Sequence, residues 1–311
     1  MTGVLTLPEH VTVVEVGPRD GLQSFERWVS TDDKVALVDC LSDACFPVVE
    51  AASFASPRVV PHLRDAVEVL ERITRRPGTR YRALVPNRKG LERALACEVD
   101  EVLALCTVSA EYTRRNQDMT VQESTAQAAD VYRSALGHGR RAVVAVGMAL
   151  FCPYEGRIPE ASTLAVVDAL YRGDVRRIYL AGSLGMEDPR QVSAMIAKLK
   201  DRWPDLEVGF HAHDMAGFGA ANVLAAVQAG ATSVEGSICG IGGGIALPHG
   251  ASQAGNLATE DLVHLLNCCG VGTGIETSAV LRAAQRAAGI LGITPRGRLT
   301  FCGPRDEIAP R

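Results

Sequence analysis

The chain has 311 residues, 47% of them apolar and 22% charged, and carries a net charge of −4 from 32 basic and 36 acidic side chains. That balance describes a protein with a sizeable core, excludes a disordered chain, and without a dense basic stripe speaks against nucleic-acid binding as the main activity. No apolar run approaches the roughly 18 residues of a membrane-spanning helix, and no charged segment leads into an apolar stretch at the start, so a cytoplasmic protein with a small-molecule substrate and no membrane partner is expected.

Taken in chain order, short runs rich in β-branched residues alternate with amphipathic stretches. Strands are predicted at 11–16, 48–51, 81–84, 102–105, 142–146, 178–181, 208–210 and 233–238. Each is short and apolar on both faces, as parallel strands are when covered on each side. Helices are predicted at 31–42, 65–73, 89–96, 120–135, 162–171, 189–200, 219–228 and 259–266, with an extra one at 277–291. Start signals support several of them: Ser30 or Thr31 precedes a run of Asp, and Asp188 precedes Pro189. Eight βα units without a Pro-, Gly- or Ser-rich linker predict one α/β domain spanning 1–311, a single (β/α)8 TIM barrel with a C-terminal extra helix. A doubly wound open sheet is the structural alternative.

In such a barrel the chemistry belongs at the strand C-termini. The first strand runs into Gly17-Pro18-Arg19-Asp20-Gly21-Leu22-Gln23, which sets a guanidinium beside a carboxylate; a capping turn with a surface ion pair is the plain alternative. The seventh ends in His211-Ala212-His213-Asp214, where strand periodicity points both imidazoles to one side, the spacing of a metal-binding pair. With Asp20 they form a mixed N/O set suited to a divalent cation such as Mg, Mn, Zn or Co. After the eighth strand come Cys239-Gly240-Ile241-Gly242-Gly243-Gly244-Ile245, then Pro248-His249-Gly250, then Gly255-Asn256-Leu257-Ala258-Thr259-Glu260-Asp261. The glycine run lacks the Lys of a phosphate-binding loop and reads as a lid; Asn256 is either a fourth metal ligand or a helix cap. The nine cysteines show no CxxC spacing and are expected reduced, mostly as small core residues, with Cys268 and Cys269 at a helix end rather than bridged.

These segments, with Glu15-Val16 ahead of the first motif, Ser53-Phe54-Ala55-Ser56-Pro57 and Cys152-Pro153-Tyr154-Glu155-Gly156, resemble the DRE-TIM metallolyases, within them the hydroxymethylglutaryl-CoA lyase branch, over nearly the whole chain. The resemblance implies a carbon–carbon lyase that cleaves 3-hydroxy-3-methylglutaryl-CoA or a related 3-hydroxyacyl-CoA by a retro-aldol or retro-Claisen reaction. It implies Asp20, His211, His213 and Asn256 as metal ligands; Arg19, His211, Glu50 and Glu260 as catalytic residues; and Gln23, Tyr154 and Ser183 as substrate-binding residues. A homodimer is expected on the same ground. Two positions depart from the family's pattern: Gly244 stands where a loop cysteine is expected, and Gly182 where an aspartate is expected after the sixth strand. Cys239 and His249 are the candidate replacements for proton transfer. The alternatives are a compact acetyl-CoA-condensing acyltransferase of the citramalate or isopropylmalate synthase type, or a metal-binding barrel with altered catalysis.

Overall fold

The computed structural model describes residues 6–244, 247 and 255–308. Eight parallel strands, β1 (Thr12–Glu15), β2 (Val48–Ser53), β3 (Arg80–Leu84), β4 (Glu101–Thr107), β5 (Arg141–Gly147), β6 (Arg177–Gly182), β7 (Glu207–Ala212) and β8 (Ser233–Gly236), follow one another around a closed barrel. β8 returns to β1 in the register Thr12↔Ser233 through Glu15↔Gly236, so the open-sheet alternative is ruled out.

Between the strands run α1 (Thr31–Asp43), α2 (Ala66–Arg72), α3 (Arg88–Ala96), α4 (Val121–Gly137), α5 (Glu160–Arg172), α6 (Pro189–Arg202), α7 (Gly219–Gln228) and α8 (Thr259–Cys268). The helix Thr277–Leu291 packs against α1 and α8. Caps set the starts as expected: the Ser30 hydroxyl accepts from the Asp33 amide at 3.1 Å, and Asp188 accepts from Gln191 at 2.9 Å with Pro189 in the first turn.

Strand alternation builds two apolar layers. One lies between strands and helices; the other, inside the barrel, is formed by Val14, Val16, Val48, Leu84, Leu103, Val143 and Tyr179. The barrel interior also holds charge, because Glu50, Arg82, Glu101 and Glu235 are buried on β2, β3, β4 and β8. No helix among the described residues is long and apolar enough to cross a membrane.

Several elements were not foreseen: a π-helical turn at Gly17–Gly21, a helix at Ala110–Gln117, an antiparallel hairpin of Phe151–Cys152 with Gly156–Arg157, and short helices at Leu299–Cys302 and Arg305–Ile308. All nine cysteines are free, and Cys268 and Cys269 close α8 as expected. Only Cys40, Cys106, Cys152 and Cys239 are buried, so most of the thiols are not core residues.

Candidate active site

The first motif is shaped by one carbonyl. Val16 O accepts from the amides of Arg19, Asp20 and Gly21 at 3.1, 2.7 and 3.2 Å, winding 17–21 into the tight turn. Arg19 and Asp20 are thereby carried into the barrel mouth, where they are 7% and 6% exposed, so the surface ion pair does not exist. Asp20 divides its oxygens between two tasks. Oδ1 accepts from the Arg19 guanidinium and from Gln23 Nε2, each at 2.8 Å. Oδ2 faces His213 Nε2 at 3.7 Å and His211 Nε2 at 4.0 Å.

The two imidazoles come from consecutive inward positions at the end of β7, their ring centroids 5.0 Å apart. His211 Nδ1 donates to Glu235 Oε2 at 2.9 Å, which fixes the tautomer that presents Nε2 to Asp20. Asn256 reaches the same point because its segment is stitched between the ends of β7 and β8: Asp214 N donates to Gly255 O at 3.0 Å, Leu257 N to Ala212 O at 2.9 Å and Ser237 N to Leu257 O at 3.0 Å. Its Nδ2 donates to Asp20 Oδ2 at 2.8 Å and Ile241 O at 3.0 Å, while its buried Oδ1 has no hydrogen-bond partner. Ala258, not Asn256, is the N-cap of α8.

One donor atom from each of Asp20, His211 and His213 falls within 4.8 Å of the others. Together with the orphaned amide oxygen of Asn256 they fit a divalent cation, whose bonds to such N and O donors run to about 2.0–2.2 Å. Burial opposes ionisation of Asp20, but Arg19, the two histidines and the Asn256 amide overcome it and hold the carboxyl at about 2. Burial likewise disfavours a charged His211, yet the bond to Glu235 and the Asp20 charge raise its pKa above the ordinary value.

Beneath the metal-binding cluster lies a circuit of alternating charge that the sequence reading missed. Arg19 Nε donates to Glu50, Glu50 accepts from Arg82, Arg82 donates to Glu235, and Glu235 accepts from His211. Arg82 is fully buried, 5.2 Å from the centroid of the Tyr179 ring. The only hint of it in the sequence is a charge at an inward position of a strand otherwise read as apolar.

A cavity of about 410 Å³ opens above these groups. Arg19, Asp20, Gln23, Ser183, His211, His213, Glu235 and Gly244 line it, joined by Tyr112 from the unforeseen helix. Gly243 O accepts from Gln23 Nε2 at 3.3 Å and Ser24 Oγ at 2.9 Å, which ties the glycine loop across the mouth. Gly242 has φ +139°, and a Cβ there would strike the Asn256 amide, so this close approach requires glycine.

Other sequence-predicted residues stand back from the cavity. Tyr154 packs behind Tyr112, ring centroids 6.4 Å apart, with Arg115 over its face at 4.5 Å. Glu50 and Glu260 are fully buried; Glu50 orients Arg19, and Glu260 Oε2 accepts from the Cys239 amide at 3.0 Å. Cys239 is corrected. It adopts φ +59°, which turns its side chain outward, and its thiol donates to Ala284 O at 3.3 Å; burial pushes its pKa up, so it handles no proton in the cavity. His249 lies outside the described residues. At Gly182 a side chain has no room, because the Glu187 carboxylate fills the space beside it. Glu187 is 1% exposed, and burial raises it to about 7; the nearby amides of Met186 and Glu187 offset this only in part, and neither oxygen makes a well-aligned hydrogen bond.

The family model described as HMGL-like matches residues 10–286. The mitochondrial hydroxymethylglutaryl-CoA lyase of Mus musculus is 39% identical over 280 residues, covering 90% of this chain and 85% of the relative. A hydroxymethylglutaryl-CoA lyase of Bacillus subtilis is 34% identical over 278 residues, covering 89% and 92%. Among solved structures, an HMG-CoA lyase from Acinetobacter baumannii in complex with coenzyme A and 3-methylmalate superposes with a TM-score of 0.89 at 32% identity over 100% of both chains. The carboxyl transferase domain of Rhizobium etli pyruvate carboxylase, at 16% identity and a TM-score of 0.67, shares the fold alone. With an Asp, His, His cluster at the mouth of a closed eight-stranded barrel, the chain belongs to the HMGL-like family and is a metal-dependent carbon–carbon lyase.

Proposed function

We propose that the enzyme cleaves 3-hydroxy-3-methylglutaryl-CoA or a close relative into acetyl-CoA and a 3-oxo acid. The observation that carries this is the convergence of Asp20 Oδ2 and both imidazole Nε2 atoms at one wall of the cavity, with Arg19 beside them and the Asn256 amide bonded to Asp20. Asp20, His211, His213 and Asn256 are the residues that would hold the cation, and their N/O character suits Mg, Mn, Zn or Co. Bound there, a divalent cation supplies Lewis-acid polarisation of the substrate's hydroxyl and carboxylate oxygens.

The remaining work falls to the chain. Arg19 is held from two sides by Asp20 and Glu50, and against the cost of burial these carboxylates raise its pKa, so its charge is fixed. It would stabilise a thioester enolate oxygen as the carbon–carbon bond electrons arrive, and a charge already oriented needs no reorganisation at that moment. Gln23 joins Asp20 to the glycine loop and so couples the site to its cover. Glu235 keeps His211 in the tautomer whose Nε2 lone pair points inward. The coenzyme A bound to the Acinetobacter baumannii relative supports an acyl-CoA substrate.

The test is acetyl-CoA release from 3-hydroxy-3-methylglutaryl-CoA by the metal-loaded protein, with citramalyl-CoA in parallel. His211→Ala or Asp20→Ala is expected to abolish metal-dependent turnover while the circular dichroism of the barrel is kept, since neither side chain belongs to the apolar core. Full activity in either variant would overturn the metal assignment.

A further inference from the structure

The chain leaves β8 through residues 237–241 and enters α8 through residues 255–258. These two stretches meet beside the metal-binding cluster, where Asn256 Nδ2 donates to Ile241 O on the first stretch and to Asp20 on the turn after β1. At their closest approach both are glycine. A Cβ on Gly255 would lie 2.6 Å from Gly240 O, so the two main chains touch with no side chain of their own to brace them.

The brace comes from elsewhere in the sequence. Arg296, in the tail that follows the helix Thr277–Leu291, meets both stretches. Its amide donates to Cys239 O at 3.0 Å. A Cβ on Gly240 would lie 3.2 Å from Arg296 Cβ, and one on Gly255 would lie 2.6 Å from Arg296 Nη1, so the side chain runs from one glycine to the other. The tail is pinned just beyond it. Gly297 is buried against the Glu260 carboxylate, and the amides of Arg298 and Leu299 donate to the two oxygens of Asp261, each at 2.7 Å. Arg296 is thus a long, flat-ended side chain on a fixed backbone, laid across two bare glycines.

Asn256 follows Gly255 directly, and its backbone bridges that of His213. Its amide keeps two hydrogen bonds whose acceptors, Asp20 and Ile241 O, sit on different segments, so a slip of one glycine past the other breaks one of them. We propose that Arg296 is a positioning residue: it locks the stretches carrying Gly240 and Gly255 against each other and so sets the Asn256 amide within the metal-binding cluster. The C-terminal tail thereby governs metal affinity. The inference rests on the reading of Asn256 as a residue that would hold the cation, and adds what holds Asn256.

The test uses the full chain and Co2+ absorbance titrations of four proteins: unaltered, Arg296→Ala, Asn256→Ala and the double variant. Arg296 is exposed, so its truncation spares the apolar core; should it nevertheless not fold, Asp261→Ala, which frees the tail from α8, makes the same comparison. Expected is a Co2+ affinity about tenfold weaker in Arg296→Ala, and a change of less than about twofold when the same truncation is made on Asn256→Ala. In the metal-free protein, hydrogen exchange at the Leu257 amide, which is bonded to Ala212 O, should be about tenfold faster in Arg296→Ala. An unchanged Co2+ affinity in Arg296→Ala, or an equal loss in both backgrounds, overturns the proposal. If Asn256→Ala binds Co2+ as tightly as the unaltered chain, the reading of Asn256 fails. Faster exchange at Leu257 would then still support Arg296 as the brace, and unchanged exchange would overturn that too.

Discussion

At the scale of single residues, the site depends on carboxylates that hold its other side chains in place. Glu235 receives the Nδ1 proton of His211 on one oxygen and the Arg82 guanidinium on the other. Burial would raise its pKa, but Arg82 and His211 hold it below the ordinary value, so it is an acceptor throughout the working pH range. Glu235→Gln removes the charge and allows the amide to turn its NH2 toward Nδ1, which favours the wrong tautomer. The expected result is a metal affinity weaker by about 10- to 100-fold, read by titration of Co2+ absorbance. An unchanged cobalt titration would mean that Asp20 alone orients the ring. Arg82→Met removes the cation that Glu50 and Glu235 share, leaving each a buried oxygen without its partner, and should cost about 3–5 kcal/mol in denaturant unfolding. Asp20, His211 and His213 were legible because strand parity and a turn motif place them at the mouth. Arg82 and Glu235 were not, because a charge within a strand declares neither its partners nor its burial.

Elements were legible where burial writes a pattern. The eight barrel strands emerged because they are mostly apolar on both faces, and α7 and Thr277–Leu291 have the bounds their apolar stripes predict. The helix Ala110–Gln117 escaped because its sequence, AEYTRRNQ, is mostly polar and buries only Tyr112 and Thr113. That helix nevertheless brings Tyr112 and Asn116 to the cavity. Its start depends on Ser109, whose hydroxyl accepts from the Tyr112 amide at 3.0 Å and from the Cys152 thiol at 3.0 Å. Ser109→Ala should cost about 1 kcal/mol of stability and loosen Tyr112, raising KM for the acyl-CoA more than it lowers kcat. A fall in kcat with KM unchanged would contradict this placement of the helix. Cys239 was misassigned for a related reason: a left-handed residue reverses the in-and-out alternation that the strand establishes, and only glycine announces that conformation in a sequence.

For the whole molecule, the decisive contact is the one that closes the barrel, where β1 meets β8. Glu15 sits at that seam, fully buried, with Oε1 accepting from the amides of Gly17 at 2.7 Å and Ile238 at 2.9 Å, so one carboxyl joins the loops that carry Arg19 and the glycine run. Burial, with the field of Glu260, raises it to about 8, although those two amides and Thr259 pull the other way. The sign follows directly. Between the ordinary 4.5 and about 8 the folded chain keeps a proton that the unfolded chain has lost, so stability from this group is full below the lower value and falls as pH rises through the upper one. Glu15→Gln preserves an oxygen for both amides and carries no charge at any pH. Its stability relative to the unaltered chain should therefore grow from pH 5 to pH 8, by about 3–4 kcal/mol for a shift of this size, as read from denaturant unfolding at several pH values. Parallel pH profiles for the two proteins would show that the seam carries an ionised carboxylate, and the barrel's closure would then owe its pH dependence to Glu260 and Glu187, each raised by burial to about 7.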